Sequence, residues 1–333
     1  MRQGQFVKGY RIVTKPTNTD AGKCLWAFAE KDGKEVFIKE FLDPKRPRAD
    51  SMGSVADKTR MFALCKEFED RHWRVIDRIA RDDLDAGNLV LADDFFHEGA
   101  RYYKVTKKLR PAGGKAPHEL EAAAKAVLLA TLADSLRLLH RLGIVHGDLK
   151  PTNVVLHQPA GSDLRTAKLI DFDDAYVSGS PPGRDVIGGD VVHGAPEWVR
   201  YVRGDRTVGP ERLTTAVDLF AFGLVVHLYV TGALPRFAGT HGTAAEAVNA
   251  GEPPRFDPRL TPALTGTLRA LLAPDPLARP AIAEVRAVLV DPRNLTLDAP
   301  PSRVRAAPPP GRVSRLRVNV AGRAPGPHQT TEK

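Results

Sequence analysis

Four polar residues that could act together on one substrate lie close to one another along this 333-residue chain. Asp148, Lys150 and Asn153 belong to the run His-Gly-Asp-Leu-Lys-Pro-Thr-Asn, and Asp171 follows a short β-like segment in the run Leu-Ile-Asp-Phe-Asp. A carboxylate can accept a proton, an ammonium group can offset negative charge, and carboxylate and amide oxygens can hold a hard cation. The order and spacing of these groups therefore indicate one chemical centre.

The two runs resemble the catalytic loop H-R-D-x-K-x-x-N and the metal loop D-F-G of the eukaryotic-like protein kinases of bacteria. The resemblance extends over about residues 10 to 290. It implies a Mg²⁺-dependent enzyme that positions and neutralises the γ-phosphoryl group of ATP during transfer to a protein hydroxyl. The implied roles are acceptance of the hydroxyl proton for Asp148, charge offset for Lys150, and Mg²⁺ ligation for Asn153 and Asp171.

The resemblance also implies a nucleotide lysine on an upstream strand. Lys39, in Val-Phe-Ile-Lys, matches the lysine that binds the α- and β-phosphates. Its acidic partner is expected on the following helix, where Glu69 is preferred and Glu67 is the competing candidate. Both would place the partner in the predicted helix at residues 56 to 81.

The remaining nucleotide contacts are assigned by position. Residues 15 to 24 match the phosphate-covering loop, but they contain one glycine, Gly22, where the family has G-x-G-x-x-G; Lys23 would add positive charge. Val105 is expected to guard the back of the nucleotide pocket, and Thr106 to Lys108 to offer backbone groups to adenine. The phosphate-covering loop at residues 15 to 24 is the weakest part of the match.

Three landmarks further along the chain are implied to be structural. Glu197 ends an Ala-Pro-Glu triplet, Asp218 begins an apolar helix expected to anchor the catalytic loop, and Arg279 is expected to pair with Glu197. Lys150, which resembles the serine/threonine type of catalytic loop, and the lack of a tyrosine-kinase signature favour transfer to serine or threonine.

Three residues depart from the family pattern. Gly147 replaces the arginine that in many kinases binds a phosphorylated activation loop, and Asp173 replaces the glycine of the metal loop. Asp190 stands about where the family has a threonine. No serine or threonine lies between residues 181 and 206, so activity is expected to be independent of activation-loop phosphorylation. Ser178 and Ser180 are the remaining candidate phosphorylation sites.

Two alternative functions remain open. H-G-D-x-x-x-x-N followed by I-D-F-D also resembles small-molecule kinases of the aminoglycoside phosphotransferase and choline kinase type. A phosphate-covering loop with a single glycine would suit a pseudokinase scaffold that binds partners without catalysis. Lys150 and the Glu197 and Arg279 landmarks favour a protein kinase over the first, and retention of all four chemical residues favours catalysis over the second.

Strand and helix patterns predict a bilobal α+β fold. An antiparallel sheet with one helix is expected over residues 1–108, and Asp32-Gly33 is a hairpin signal within it. A mainly helical lobe is expected over residues 109–298, with the apolar stretch Val217 to Val230 as a buried core helix. That stretch is shorter than the roughly 20 residues that a membrane span requires.

Composition and charge narrow the class of protein. Two cysteines, Cys24 and Cys65, are too few for a disulfide framework, and the N-terminus has no secretory signal, so a cytoplasmic protein is expected. Residues 299–333 hold seven basic residues and one acid, a charge of +6, which leaves +3 for the rest and argues against a nucleic-acid-binding body. This Pro- and Arg-rich tail is interpreted as a flexible linker, with docking to a partner or an anionic surface as the alternative.

Overall fold

The computed structural model describes residues 1–19, 22, 24–48, 52–80, 87–158 and 164–298. Its N-terminal part contains strands β1 (Phe6–Val7), β2 (Tyr10–Ile12), β3 (Cys24–Lys31), β4 (Lys34–Phe41), β5 (Ala92–Glu98) and β6 (Arg101–Lys107), with helix α1 (Val55–Ala80). The six strands form one antiparallel sheet in the order β1-β2-β3-β4-β6-β5.

Helices dominate after residue 108. They are α2 (Ala122–Arg141), α3 (Pro196–Val202), α4 (Ala216–Thr231), α5 (Ala244–Asn249), α6 (Pro262–Leu271) and α7 (Ile282–Leu289). Two small antiparallel sheets accompany them, formed by β7 (Ile144–Val145) with β10 (Tyr176–Val177) and by β8 (Val154–His157) with β9 (Thr166–Leu169). The predicted bilobal α+β arrangement is thereby confirmed. Within the ranges described, no helix is both long and apolar enough to cross a membrane.

Local sequence explains the limits of the two main N-terminal elements. Asp32 and Gly33 both adopt positive φ, +52° and +73°, which matches the two-residue turn that joins right-twisted strands. Helix α1 begins after Ser54, whose hydroxyl accepts a hydrogen bond from the Asp57 amide at 3.1 Å, while the Asp57 carboxylate accepts one from the Ser54 amide at 3.2 Å. The hairpin and the helix therefore have separate local causes.

The two faces of the large sheet differ in chemistry. Residues directly opposite each other on neighbouring strands share a face, and Lys39 lies opposite Trp26 on β3 and Lys104 on β6. The next residue, Ile38, lies opposite Ala27 and Val105 on the other face, where all three are fully buried. The sheet consequently presents two lysines and aromatic rings on the side of Lys39, and a mainly apolar layer, in which Glu40 is also buried, on the other.

Helix α4 is the buried centre of the helical lobe. Nearly all of its residues are inaccessible to solvent, including the polar Asp218 and His227. The helix ends at Gly232, whose φ of +86° closes the last turn in the left-handed conformation. The prediction of a core helix over Val217 to Val230 is confirmed, and the helix fixes Asp218 in the interior.

Candidate active site

The loop between β7 and β8 carries Asp148, Lys150 and Asn153. One oxygen of Asp148, Oδ2, lies 2.7 Å from the ammonium nitrogen of Lys150 and accepts a hydrogen bond from the Asn153 amide at 2.9 Å. The other, Oδ1, is buried and has no hydrogen-bond partner among the described residues. Partial burial works against the charge of Lys150, but the hydrogen bond and charge of Asp148 raise its pKa. Asp148 is therefore held rigidly and retains one unused acceptor.

Asp218 holds this loop from within the helical core. Its carboxylate accepts hydrogen bonds from the backbone amides of His146 at 2.8 Å and Gly147 at 3.1 Å, and it lies 3.1 Å from His140 Nε2. The His146 ring in turn lies 3.0 Å from the carbonyl oxygen of Ile170, immediately before Asp171. Burying a carboxylate is tolerable when donors surround it. Asp218 thus ties the catalytic loop to the core, and His146 ties it to the metal loop.

Lys39 meets the metal loop directly. Its ammonium nitrogen lies 2.8 Å and 2.9 Å from the two carboxylate oxygens of Asp171 and 2.7 Å from Asp173 Oδ2. Burial opposes the charge of Lys39, but the two carboxylates raise its pKa. Asp171 has a positive φ of +64°, a conformation that non-glycine residues adopt rarely and often at functional sites.

A cavity of about 550 Å³ lies between the lobes and contains this chemistry. Lys39 and Asp171 line it together with Asp148 and Lys150, and α1 contributes Glu67 and Arg71. Burial and the neighbouring carboxylates Asp173, Asp148 and Asp171 raise the pKa of Asp174, at the cavity wall, to about 6. The structure therefore brings together the four residues that the sequence placed in one centre, and Lys39 joins them.

Asn153 and Asp171 are suited to Mg²⁺. They offer an amide oxygen and a carboxylate, and Mg²⁺ is commonly bound by one or two such groups together with substrate phosphates. The side-chain nitrogen of Asn153 donates hydrogen bonds to Asp148. The side-chain oxygen takes no part in these bonds and is left for a metal ion. The donor set thus fits a magnesium ion shared with a nucleotide.

Glu69 requires a correction, because it does not contact Lys39. Its Oε1 atom accepts hydrogen bonds from Arg46 Nη1 and from the Tyr102 hydroxyl, each at 2.5 Å. Residues two apart on a helix point in different directions, and the competing candidate Glu67 is the one that lines the cavity. The acidic partners of Lys39 in the structure are Asp171 and Asp173 of the metal loop.

Val105 also requires a correction. Its side chain lies on the apolar face of the sheet, opposite Ile38, and is fully buried. Lys104, one residue earlier, lies on the same face of the sheet as Lys39 and contacts Asp171. Lys108 directs its ammonium group to Glu35 at 3.0 Å, and Thr106 lies in β6 opposite Phe37.

Three aromatic residues beside Lys39 were not singled out from the sequence. Trp26, Phe28 and Phe37 share the face of Lys39; the Trp26 and Phe37 rings are stacked with centroids 5.4 Å apart, and Phe28 meets Phe37 edge-on at 6.3 Å. The ammonium group of Lys108 lies 4.5 Å from the centre of the Phe28 ring. Their alternation along β3 and β4 is the signal that could have located them.

The predicted phosphate-covering loop is described in part. Gly22 lines the cavity with a φ of +54°, which glycine adopts at no steric cost, whereas Lys23 lies outside the described residues. Cys24 begins β3 and lines the same cavity; burial, followed by the charge of Asp173, raises the pKa of its thiol to about 12. This cysteine therefore behaves as a neutral thiol.

The segment between the metal loop and α3 is held by Arg184. Its guanidinium donates hydrogen bonds to the carbonyl oxygens of Tyr201 at 2.8 Å, Asp205 at 3.0 Å and Val208 at 2.8 Å, and it lies 4.2 Å from the centre of the Tyr201 ring. We call these contacts the Arg184 clamp. Sequence reasoning missed it, because nothing in the local pattern distinguishes Arg184 from a surface arginine.

Asp190 stabilises the next turn of the same segment. Its Oδ1 atom accepts hydrogen bonds from the backbone amides of Val192 and His193 and contacts the His193 ring, each at 2.9 Å. The His193 hydrogen bond is the main reason that the pKa of Asp190 falls to about 2. Asp190 therefore acts as a charged turn residue beside Lys150.

Glu197 and Arg279 form a buried ion pair below this segment. Two parallel hydrogen bonds of 2.6 Å and 2.8 Å join the guanidinium to the carboxylate, and Arg279 also donates to the carbonyl oxygen of Ala216 at the start of α4. This paired geometry is the strongest that arginine makes with a carboxylate. It connects the end of the segment to the helical core.

Known proteins resemble this chain in sequence. Residues 20–288 match the family model described as a protein kinase domain. The chain is 30% identical over 247 residues to calcium-dependent protein kinase 9 of Oryza sativa subsp. japonica, covering 73% of the chain and 38% of that protein. It is 30% identical over 185 residues to serine/threonine-protein kinase pkn3 of Myxococcus xanthus (53% and 32%) and 28% identical over 159 residues to serine/threonine-protein kinase RAD53 of Saccharomyces cerevisiae (45% and 19%). The chain therefore spans less than half the length of each of these relatives.

Proposed function

This chain belongs to the protein kinase domain family, and we propose that it transfers the γ-phosphoryl group of Mg-ATP to serine or threonine hydroxyls of proteins. The observation that carries the proposal is the unused Oδ1 atom of Asp148. A buried carboxylate oxygen without a partner among the described residues is costly, and a hydroxyl donor entering the cavity would satisfy it.

The proposed division of labour follows from the contacts. Asp148 would accept the hydrogen bond of the acceptor hydroxyl and hold its oxygen in line with the γ-phosphorus, since Lys150 and Asn153 fix the carboxylate from its other oxygen. Lys150 would offset charge on the transferred group, and Lys39 would bind the α- and β-phosphates. Mg²⁺ held by Asn153 and Asp171 would supply further neutralisation of the phosphates.

The nucleotide would lie in the cavity beneath the sheet. We propose that its phosphates approach Gly22 and Lys39 and that its base lies near the backbone of Thr106 to Lys108. The rings of Phe28 and Phe37 flank that side of Lys39 and would contact the base face. The placement of the phosphates rests on the cavity lining, and the placement of the base rests on the alternation of β3 and β4.

The acceptor class is proposed from the family and its members. The relatives are named as serine/threonine or calcium-dependent protein kinases, and similarity to pkn3 of Myxococcus xanthus supports placement among bacterial kinases. The buried Glu197–Arg279 pair supports a protein kinase over a small-molecule kinase, because that pair was a point of resemblance to protein kinases alone. The acceptor would then be a protein side chain.

Activity is proposed to be independent of activation-loop phosphorylation. The Arg184 clamp supports this, because it connects the segment to the helical lobe through three backbone carbonyl groups without any phosphate. Gly147 provides no guanidinium that could bind a phosphate. Ser178 and Ser180 would then be dispensable.

Three broader assignments complete the proposal. Lobes at residues 1–108 and 109–298 and a basic tail at 299–333 are proposed as units. The tail, which lies outside the described residues, is proposed as a flexible linker, with binding to a partner or an anionic surface as the alternative. A reducing, cytoplasmic compartment is supported by Cys24 and Cys65, which are both free and buried. Deleting residues 299–333 and measuring retention on anionic vesicles would test the tail.

The central experiment compares the wild-type chain with Asp148→Asn. Both would be incubated with Mg-ATP and two acceptors, a basic protein and an aminoglycoside, and phosphate incorporation would be measured by intact mass. We expect phosphate on the protein acceptor, a loss of about 10²–10⁴-fold in kcat in the variant, and Mg-ATP affinity within about threefold of wild type. The exposed Asp275→Asn is the matched control.

Each other outcome has a distinct meaning. Full transfer by Asp148→Asn would remove the proposed role of Asp148. Phosphate on the aminoglycoside alone would favour a small-molecule kinase, and Mg-ATP binding without transfer to either acceptor would favour a scaffold.

A further inference from the structure

The cavity face of the sheet carries a second buried lysine beside Lys39. Lys104 lies directly opposite Lys39 in the β4–β6 pair and is 7% exposed. Its ammonium nitrogen contacts Asp173 Oδ1 and lies 3.4 Å from Asp171 Oδ1. Two ammonium groups therefore face two carboxylates, and the four charges balance.

Asp173 is the group that both lysines share. Lys39 binds its Oδ2 atom at 2.7 Å, and Lys104 binds its Oδ1 atom. Both oxygens of this buried carboxylate are therefore occupied by ammonium groups. The buried ring of His72 lies 3.9 Å from Oδ1, and burial lowers the pKa of His72. A buried carboxylate is stable only when cations or donors compensate it, so Asp173 depends on the two lysines.

Helix α1 does not supply an acid to Lys39 in this arrangement. Glu69 is engaged by Arg46 and Tyr102, and the 28% exposure of its side chain contrasts with the 8% exposure of Lys39. A long lysine side chain has many rotamers, and a fixed acid removes most of that freedom. The acid that fixes Lys39 comes from the metal loop.

We propose that Asp173 is the residue that positions Lys39 for the nucleotide phosphates, and that Lys104 is the counter-charge that allows the Asp173 carboxylate to remain buried beside it. The positioning half rests on the proposed kinase function, whereas the pairing half does not. In this arrangement the acid that orients Lys39 comes from the metal loop and not from α1.

The pairing half is tested by a double-mutant cycle on thermal unfolding. Lys104→Met and Asp173→Asn are each expected to lower the unfolding midpoint by about 5 °C or more, because each leaves a buried charge without its partner. The double variant is expected to unfold within about 3 °C of wild type. The exposed pair Lys66 and Asp70, 2.7 Å apart on α1, is the matched control, and its cycle should show coupling below about 2 °C.

The positioning half is tested by the dependence of rate on Mg-ATP. Asp173→Asn is expected to raise the KM for Mg-ATP at least about tenfold, and the double variant should keep that increase although its stability is recovered. Lys104→Met, which leaves Asp173 in place, should raise KM less. A pair with only a structural role would instead recover both KM and stability in the double variant.

Several results would overturn the proposal. Additive losses of stability in the double variant would refute the pairing of Lys104 with Asp173. An unchanged KM in Asp173→Asn, or an equal rise in Glu69→Gln, would refute the positioning of Lys39 by Asp173.

Failure of the kinase function can be distinguished from failure of this inference. If wild type transfers no phosphate, calorimetric Mg-ATP affinity replaces KM as the readout, and the unfolding cycle is unaffected. Absence of Mg-ATP binding by wild type would refute the positioning half alone.

Discussion

Close packing around position 147 explains why a glycine precedes Asp148. Its φ is +78°, and a Cβ atom added to it would lie 2.6 Å from the carbonyl oxygen of Asp174 and 3.2 Å from the Tyr176 ring. The catalytic loop and the metal loop thus approach each other more closely than any side chain at position 147 allows. The departure from the family arginine is consequently a packing requirement of this backbone.

Gly147→Ala should separate packing from backbone strain when compared with Gly204→Ala. Both glycines have positive φ, but among the described residues no neighbouring atom lies within 4 Å of a Cβ at Gly204. We expect Gly204→Ala to cost about 1–2 kcal/mol of unfolding free energy from strain alone. Gly147→Ala should cost more and should also lower kcat, because Asp148 would be displaced. Equal losses in chemical denaturation would contradict this account.

Sequence reasoning at the residue scale succeeded where the spacing was local. Asp148, Lys150 and Asn153 lie on one short loop, so their proximity was predictable, and Asp171 follows after a hairpin. Val105 was wrong by one position, because strand alternation reverses the face with every residue. Glu69 was wrong because the partner of Lys39 depends on how α1 is rotated against the sheet and on Asp173, and neither is encoded locally.

The segment of residues 178 to 194 is an element without regular structure that is nevertheless fixed. The Arg184 clamp holds its middle, Asp190 closes its last turn, and the Ser178 amide donates to the Gly143 carbonyl at its start. Backbone carbonyls paired with a charged donor form hydrogen bonds stronger than neutral ones. The segment therefore has an internal source of order.

Arg184→Ala should release this segment. We expect transfer activity to fall at least about tenfold and limited proteolysis to cut between residues 180 and 194, since three carbonyl groups lose their donor. Arg184→Lys should recover only part of the activity, because lysine lacks the planar fork. The exposed Arg206→Ala is the control.

Ser178 and Ser180 lie at the start of the segment that the Arg184 clamp holds without phosphate. The double variant of Ser178 and Ser180 to alanine should retain wild-type activity within about twofold, measured with a protein acceptor. Loss of activity in that variant together with phosphate on either serine in wild type would contradict a segment that is ordered without phosphate.

Whole elements were predicted well where periodicity was strong. Helix α1 was expected over residues 56 to 81 and spans Val55–Ala80, and the turn at Asp32 and Gly33 lies where the dipeptide indicated. Strand β5 begins at Ala92, and Leu89, three residues earlier, bridges to Leu169 of β9. The Arg184 clamp escaped prediction because its partners are backbone groups distant in sequence.

At the scale of the molecule, the two lobes share apolar packing through Val75 and Ile79 of α1, and polar contacts join them around the cavity. Backbone hydrogen bonds join Val90 to Leu169 at 2.9 Å and Leu169 to Asn88 at 2.8 Å, and Lys39 binds Asp171 across the cleft. A ligand that enters this cavity would contact both lobes at once. Its binding energy would therefore add to the stability of the whole fold.

Mg-ATP should raise the thermal unfolding midpoint. At a free concentration of 100 times Kd, linkage gives about 2.7 kcal/mol, or a rise of about 4 °C for a domain of this size. ATP with EDTA should give less than half that rise, because Asn153 and Asp171 would lack the ion they share with the phosphates. Differential scanning fluorimetry measures both, and equal rises with and without Mg²⁺ would contradict the proposed metal role.

The Arg184 clamp has a consequence for how a cell would govern such a protein. A segment ordered by added phosphate can be reset by an enzyme that removes the phosphate, but hydrogen bonds from an arginine to main-chain carbonyls offer nothing to remove. If the clamp suffices, each copy is competent once it has folded. Synthesis, degradation and the supply of acceptor would then be the quantities that determine its output.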